Sequence, residues 1–393
     1  NLIAYIAAHQ AEMLAFLKKL VLVQSGSHNK PGVDRVRRLI AETIKPLGLE
    51  MTTNTQKSYG DILIASTPSA GDRDNILLIG HMDTVFPEDT SFNWWLEDEK
   101  NAYGPGVIDM KGGLVVGIYA LKALAASGLL DEIPLRFIFN SEEEIGSPVS
   151  GPVIAFEAKR SAMAFVLECG GLDGQVVTGR KGRIGLKLEI CGQAGHAAFA
   201  GKDKASAILE LAHKTIELEK LNSCIPGLTV NVGRIQGGIG PNSIAESALA
   251  MIDVRFSSQK GADFFQAKLD EIVSQPVVPG TVSKYEVTGS RPPMEQTAGN
   301  QDLFRVVEEQ ARKLEVPVVE EYRMGASDAS IVAAKKTPVI DGLGPIGDLD
   351  HSDREYIVKN SIVQRCQLLA LSIIKCRRLN KEDRLFLRTT RKE

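Results

Sequence analysis

Apolar residues recur along this chain with two periods, and the places where the period changes outline its architecture. Over roughly the first 45 residues the spacing is helical, predicting amphipathic helices at Leu2–Leu22 and Gly32–Leu47, with Gly26, Asn29 and Pro31 punctuating between them. Short apolar runs then alternate with helical spacing. Asn75–Gly80, Leu135–Asn140 and Met163–Leu167 have the length of buried strands, and Gly113–Leu124 has the spacing of a helix. The alternation predicts an α/β fold in which helices sandwich a mostly parallel sheet.

From about residue 181 the rhythm changes. Strands are expected at Arg183–Cys191, Leu228–Ile235, Ala248–Phe256 and Ser283–Thr288. Helices are expected at Asp203–Leu221, carrying apolar Ala205, Ile208, Leu209, Ala212 and Ile216, and at Ala262–Val273. The order β-α-β-β-α-β is that of a ferredoxin-like unit. A chain of 393 residues is long for a single core. The expectation is therefore a discontinuous domain, residues 1–180 and 292–393, interrupted by an inserted one, residues 181–291. A helix at Ser361–Lys375 completes the first, and the basic stretch Arg377–Glu393 reads as a solvated tail.

Composition narrows the partners. A formal net charge of -3 gives no global attraction to nucleic acid or to an anionic membrane. No apolar run approaches the roughly 20 residues of a membrane span. Cys169, Cys191, Cys224, Cys366 and Cys376 are scattered, odd in number and without a CxxC pair, so reduced thiols are expected. That favours the cytoplasm, with periplasmic residence after signal removal as the alternative. The chain begins at Asn1, and no signal-peptide pattern is visible.

The chemistry is carried by acids and histidines at the ends of the predicted strands, ligand types that suit borderline divalent metals. His81 and Asp83 follow the first buried strand, and such a carboxylate can orient a metal-bound imidazole. As a pair they could equally make surface hydrogen bonds. Asp109, in Gly104-Pro105-Gly106-Val107-Ile108-Asp109-Met110-Lys111-Gly112-Gly113, arrives just before a helix, where it could bridge two metals or simply cap the helix. Glu142-Glu143-Glu144 follows the second strand; one glutamate could bind metal while its neighbour faces a reacting water, or all three could complement a helix dipole. Glu168 ends the third strand, and His351 lies in Asp348-Leu349-Asp350-His351-Ser352-Asp353. The carboxyl ends of strands in open α/β sheets are where sites form. No Walker-type phosphate loop occurs.

Taken together, His81-Met82-Asp83-Thr84-Val85, the Gly104–Gly113 segment, Glu142-Glu143-Glu144-Ile145-Gly146-Ser147 and the later histidines resemble the two-metal metallopeptidase family. That family includes carboxypeptidase G (glutamate carboxypeptidase), acetylornithine deacetylase, succinyl-diaminopimelate desuccinylase and aminoacylases. The resemblance runs over nearly the whole chain in the same motif order. It implies a three-layer α/β/α zinc-peptidase-like domain with an inserted ferredoxin-like dimerisation and lid domain. It assigns His81 and Glu168 to one metal, Glu144 and His351 to the other, and Asp109 to both. Glu143 becomes the general base and Asp83 the partner of His81, and a cis peptide is implied at Asp109–Met110. Two divalent ions are expected, zinc favoured, with cobalt or manganese as alternatives.

The inserted segment contributes by the same resemblance. His196, in Gly192-Gln193-Ala194-Gly195-His196-Ala197, corresponds to a histidine that reaches the other subunit's active site in relatives, which implies a homodimer. Asn242, Arg255, Arg291 and Gly325 are expected at or near the substrate, with a structural role as the alternative for Arg255, since an outward strand arginine often only pairs at a surface. Arg291, at the return hinge, suits a free carboxylate, because a guanidinium fork binds carboxylates bidentately. Relatives usually carry proline where this chain has Ala245, and a more glycine-rich segment where it has Gly325-Ala326-Ser327-Asp328-Ala329. The expected activity is hydrolysis of an amide or peptide bond that releases a C-terminal amino acid, glutamate first. The alternatives are an N-acyl amino acid deacylase and, more remotely, a non-catalytic binding protein.

Overall fold

The computed structural model describes residues 2–201, 204–222 and 224–378. The chain forms two compact units, one of residues 1–179, 296–322 and 327–393, the other of residues 180–295 and 323–326. The predicted basic tail lies almost entirely outside the described residues.

The first unit is built on a six-stranded sheet in the order Glu50–Asn54, Ile62–Ser66, Leu135–Asn140, Asn75–His81, Ser161–Val166, Val339–Ile340. The last four run parallel, and the first two are antiparallel additions at one edge. Asn75–His81 is buried at every position, as a central parallel strand covered on both faces must be. The helix Gly112–Ala126 is apolar nearly all round and almost wholly buried. Its glycines allow close packing: a Cβ on Gly113 would lie 1.9 Å from the Leu167 carbonyl oxygen. The core continues through Lys359–Arg378 and the N-terminal helices. The first expected helix is in fact two, Leu2–Ala8 and Gln10–Val21, interrupted at His9, whose ring bonds the Tyr5 carbonyl at 2.7 Å. A four-stranded ribbon, Gly347–Asp348, Tyr356–Val358, Asn101–Tyr103 and Leu96–Glu97, completes this unit's sheets, apart from the pair formed with Val319–Arg323.

The second unit carries an antiparallel sheet in the order Thr229–Gly237, Ser247–Phe256, Gly182–Cys191, Val282–Arg291. With the helices Ala207–Glu219 and Gln259–Ser274 this is the ferredoxin-like order, with its own apolar core. Two details differ from the sequence expectation. Arg291 is the last residue of a longer strand rather than a hinge residue. On Ala207–Glu219 the buried face is Ala207, Glu210, Leu211, Lys214 and Leu218, while Ile208, Leu209 and Ile216 are exposed. The buried face is held by a Glu210–Lys214 ion pair at 3.0 Å. Glu210 accepts the N–H groups of Val277 and Val278, and Lys214 donates to the carbonyls of Ile272 and Gln275.

Candidate metal centre

Three adjacent parallel strands end level with one another, and their carboxyl ends deliver three of the candidate groups. His81 is the last residue of its strand and pairs in register with Asn140, so the Glu142-Glu143-Glu144 segment begins beside it. On the other side Ile79 pairs with Val166, which brings Glu168, two residues on, to the level of His81. Asp109 comes from the turn Val107–Lys111 that leads into the buried helix, entered through Gly106 at φ 72°, and the Asp109–Met110 peptide is cis. His351 is supplied by the turn after Gly347–Asp348.

These elements bring the five predicted ligands together. One Asp109 oxygen lies 3.0 Å from His81 Nε2 and the other 3.1 Å from His351 Nε2. Each imidazole has a second carboxylate, Glu168 at 3.7 Å from His81 and Glu144 at 3.3 Å from His351. Donor atoms of His81, Asp109 and Glu144 lie within 4.8 Å of one another, and so do those of His81, Glu143 and Glu168. Glu143 is thus placed beside the His81–Glu168 pair. Asp350, not among the predicted ligands, is grouped in the same way with Asp109 and His351.

Asp83 organises the cluster from behind. Its carboxylate lies 3.2 Å from His81 Nδ1 and accepts the backbone N–H groups of Glu143 and Glu144 at 3.1 and 3.3 Å. The Ser27 hydroxyl donates to it at 2.6 Å. Glu142, the first glutamate of the triplet, is fully buried and turns away: it accepts from Val149 N, Ser150 N and the Ser150 hydroxyl, fixing the start of the helix Ser150–Lys159. Adjacent glutamates therefore point to different tasks. Asn140 and Ser147 flank the turn and both donate to the buried Asp328, at 2.6 and 2.5 Å. Sequence reasoning missed Ser27, Glu142 and Asp328 as contributors. Only Glu142 had a local signal, its place in the triplet.

The electrostatics are those of a cation site. Burial works against a charged His81, yet the Glu168, Asp109 and Asp83 carboxylates raise its pKa well above the usual imidazole value. Hydrogen bonds to Asp109 and Glu144 raise His351 to about 11. Burial, followed by the Asp109 charge, raises Glu144 to about 7, and burial with Asp109 pushes Glu168 well up. Asp109 is itself lowered, its burial outweighed by the two histidines. Glu144 Oε1 is buried with no hydrogen-bond partner among the described residues. Crowded carboxylates, two imidazoles and an orphaned buried oxygen fit two divalent cations, whose charge would satisfy what protons otherwise must.

The substrate candidates lie in the second unit. Gly195–His196 pairs with Ser243–Ile244 in a two-stranded ribbon, and Ala197 N donates to the Asn242 carbonyl at 2.9 Å, so His196 and Asn242 share one tip. The His196 ring is exposed, accepts Ala198 N at 3.1 Å and tilts against Phe199. Arg255 pairs with Arg183 across the sheet, and Arg183 with Arg291. Asp253 engages Arg255 at 2.7 Å and Arg183 at 2.6 Å, and Arg291 is buried at the strand end. Gly325 accepts from Arg180 at 3.0 Å.

An α/β sheet that gathers this donor set at its strand ends belongs to a metal-dependent peptidase or amidohydrolase. Residues 77–375 match the model described as Peptidase family M20/M25/M40, and the chain belongs to that family. Enzymes of the family are metal-dependent, typically with two ions. The chain is 29% identical to carboxypeptidase G2 of Pseudomonas sp. (strain RS-16) over 373 residues, covering 93% of this chain and 89% of that one. It is 24% identical to succinyl-diaminopimelate desuccinylase of Alkalilimnicola ehrlichii over 345 residues, 82% of this chain and 88% of that one. Among solved structures, the aminopeptidase PepT from Bacillus cereus superposes with a TM-score of 0.79 at 22% identity, covering 93% of this chain and 98% of that one, a likeness of fold. No helix among the described residues is long and apolar enough to cross a membrane.

Proposed function

We propose that this protein hydrolyses the amide or peptide bond of a small acyl-amino acid or peptide to release a C-terminal amino acid, glutamate first. The observation that carries the reading is the Asp109 carboxylate, with one oxygen toward each histidine and a further carboxylate beside each. His81 and Glu168 would hold one ion, His351 and Glu144 the other, and Asp109 both. Two divalent ions there, zinc favoured over cobalt or manganese, would supply Lewis acidity that activates water and polarises the scissile carbonyl. Glu143 takes the proton of the attacking water and delivers it to the departing nitrogen. Asp83 fixes the His81 ring and the backbone from which Glu143 projects.

His196, supplied across a homodimer, would donate to the developing oxyanion. Exposed Ile208, Leu209, Ile216 and Ile235 support an interface on the second unit. Arg291 would anchor the released amino acid's carboxylate, with Asn242 and Gly325 lining the path and Arg255 supporting. The glutamate preference draws on the similarity to carboxypeptidase G2. Five scattered cysteines favour a reducing compartment, the cytoplasm.

A substrate panel tests the reading. Zinc-, cobalt- and manganese-loaded protein is offered N-acyl-glutamates and glutamyl dipeptides alongside N-acetylornithine and N-succinyl-diaminopimelate, and glutamate release is expected to lead in kcat/KM. Rapid deacylation of the latter two with no glutamyl turnover would reverse the order. No turnover of anything after metal loading would favour a binding protein.

A further inference from the structure

Glu355 stands outside the donor set, four residues beyond His351, and is fully buried. Its Oε1 accepts the backbone N–H of Gly106, 249 residues away in sequence, and the N–H of Val107 also acts on the carboxylate. Its Oε2 has no hydrogen-bond partner among the described residues. Gly106 opens the turn that presents Asp109, and that turn is closed by Lys111 N donating to the Gly106 carbonyl at 2.9 Å. Displacing Gly106 therefore displaces Asp109.

At its other end Glu355 terminates the turn that carries His351. Leu349 and His351 there have φ values of 64° and 60°, a left-handed conformation that L-residues seldom adopt and that surrounding structure must impose. The Ser352 hydroxyl ties back to the Leu349 carbonyl at 2.6 Å, and Glu355 N donates to the Ser352 carbonyl at 3.3 Å. A buried carboxylate is costly unless it is paired and hydrogen-bonded, and here the buried Lys111 charge and the Gly106 N–H both act on it. This one joins the end of the His351 turn to the start of the Asp109 turn.

Resting on the two-ion reading above, we infer that Glu355 is a positioning residue that fixes the separation of Asp109 and His351, and so the affinity for the ion these two share with Glu144. It touches neither substrate nor ion. Partners standing behind metal ligands set affinity by orienting them, and their loss typically costs about 10- to 100-fold.

The test is calorimetric titration of the purified apo-protein with zinc, repeated with cobalt and followed by its visible absorption, on wild type, Glu355→Ala and Glu355→Gln. Glu355→Ala is expected to bind one ion at least tenfold more weakly, with a smaller change at the other and an altered cobalt spectrum. Glu355→Gln keeps an acceptor oxygen for Gly106 and should stay within about threefold of wild type at both. Wild-type affinities for both ions in folded Glu355→Ala, or a Gln variant as impaired as Ala, would overturn the assignment. Should Glu355→Ala not fold, Glu355→Asp, which withdraws the acceptor by one methylene, decides alone: a selective loss supports the assignment, and two wild-type affinities overturn it. A wild type that takes up only one ion defeats the two-ion reading as well, whereas two ions undisturbed in every variant defeat this inference alone.

Discussion

Each unit of this protein buries charged residues, and the two do so to different ends. In the second unit Glu210 and Lys214 pair at 3.0 Å, and each spends its remaining capacity on backbone groups at the end of Gln259–Ser274 or just beyond it. In the first, Asp109, Glu144 and Glu168 crowd around two imidazoles, Glu144 Oε1 lacks a hydrogen-bond partner among the described residues, and both histidines are held well above their ordinary pKa. Burial of charge is common to both. Satisfaction distinguishes them: a paired, fully bonded charge braces a fold, while like charges forced together call for a cation or a reaction.

The sharpest way to break that distinction is to take the cation away. Dialysis against a chelator is expected to reduce hydrolysis to background, with recovery on adding zinc, cobalt or manganese; undiminished turnover at a metal content below one ion per ten chains would end the metal-centre reading. Glu143→Ala comes next. General-base catalysis is worth about 10²- to 10⁴-fold, so kcat should fall by that factor while metal content and Tm stay at wild-type values. Turnover within threefold of wild type would remove Glu143 from the mechanism.

The mirror experiment belongs to the second unit. Lys214→Met leaves Glu210 buried without its counter-charge and orphans two carbonyls, a loss of about 3–5 kcal/mol. Denaturant unfolding should report that loss, while kcat per folded molecule holds. If instead activity falls with stability intact, the contrast drawn between the two units is wrong.

How much of this was legible beforehand depended on whether the partner lay nearby in sequence. The three buried strands were readable from short apolar runs, and the inserted unit from its change of rhythm, because periodicity is a local signal. The Asp109 segment and the glutamate triplet stood out by composition. The tasks of Glu143 and Glu144 came from the family resemblance, and composition gave no sign that Asp83, some 60 residues earlier, holds the backbone N–H groups of both. Ser27, Asp328 and Glu355 were invisible for the same reason: each acts on a group 56, 181 or 249 residues away. The Ala207–Glu219 helix misled in another way. Its spacing was read from apolar positions that include Ile208, Leu209 and Ile216, but the Glu210–Lys214 pair lies on the inner face and these three are exposed.

The smallest expected effects separate two arginines that the sequence set side by side. Arg255 already spends its guanidinium on Asp253 at 2.7 Å, in a row where Arg183 shares the same carboxylate. Arg291, two strands over, is buried at its strand end in register with Arg183. Hydrogen bonds to a charged group contribute about 1.5–3 kcal/mol, so losing a carboxylate anchor should raise KM by roughly 10- to 150-fold. Arg291→Ala is expected in that range for N-acyl-glutamates, with kcat little changed, because the anchor acts on bound substrate and transition state alike. Arg255→Ala should stay within about threefold, since what it loses is a half-exposed ion pair of modest worth. Equal KM effects in the two variants would make the arginine row a shared carboxylate site, with Asp253 tuning it. A larger effect at Arg255 would exchange their roles.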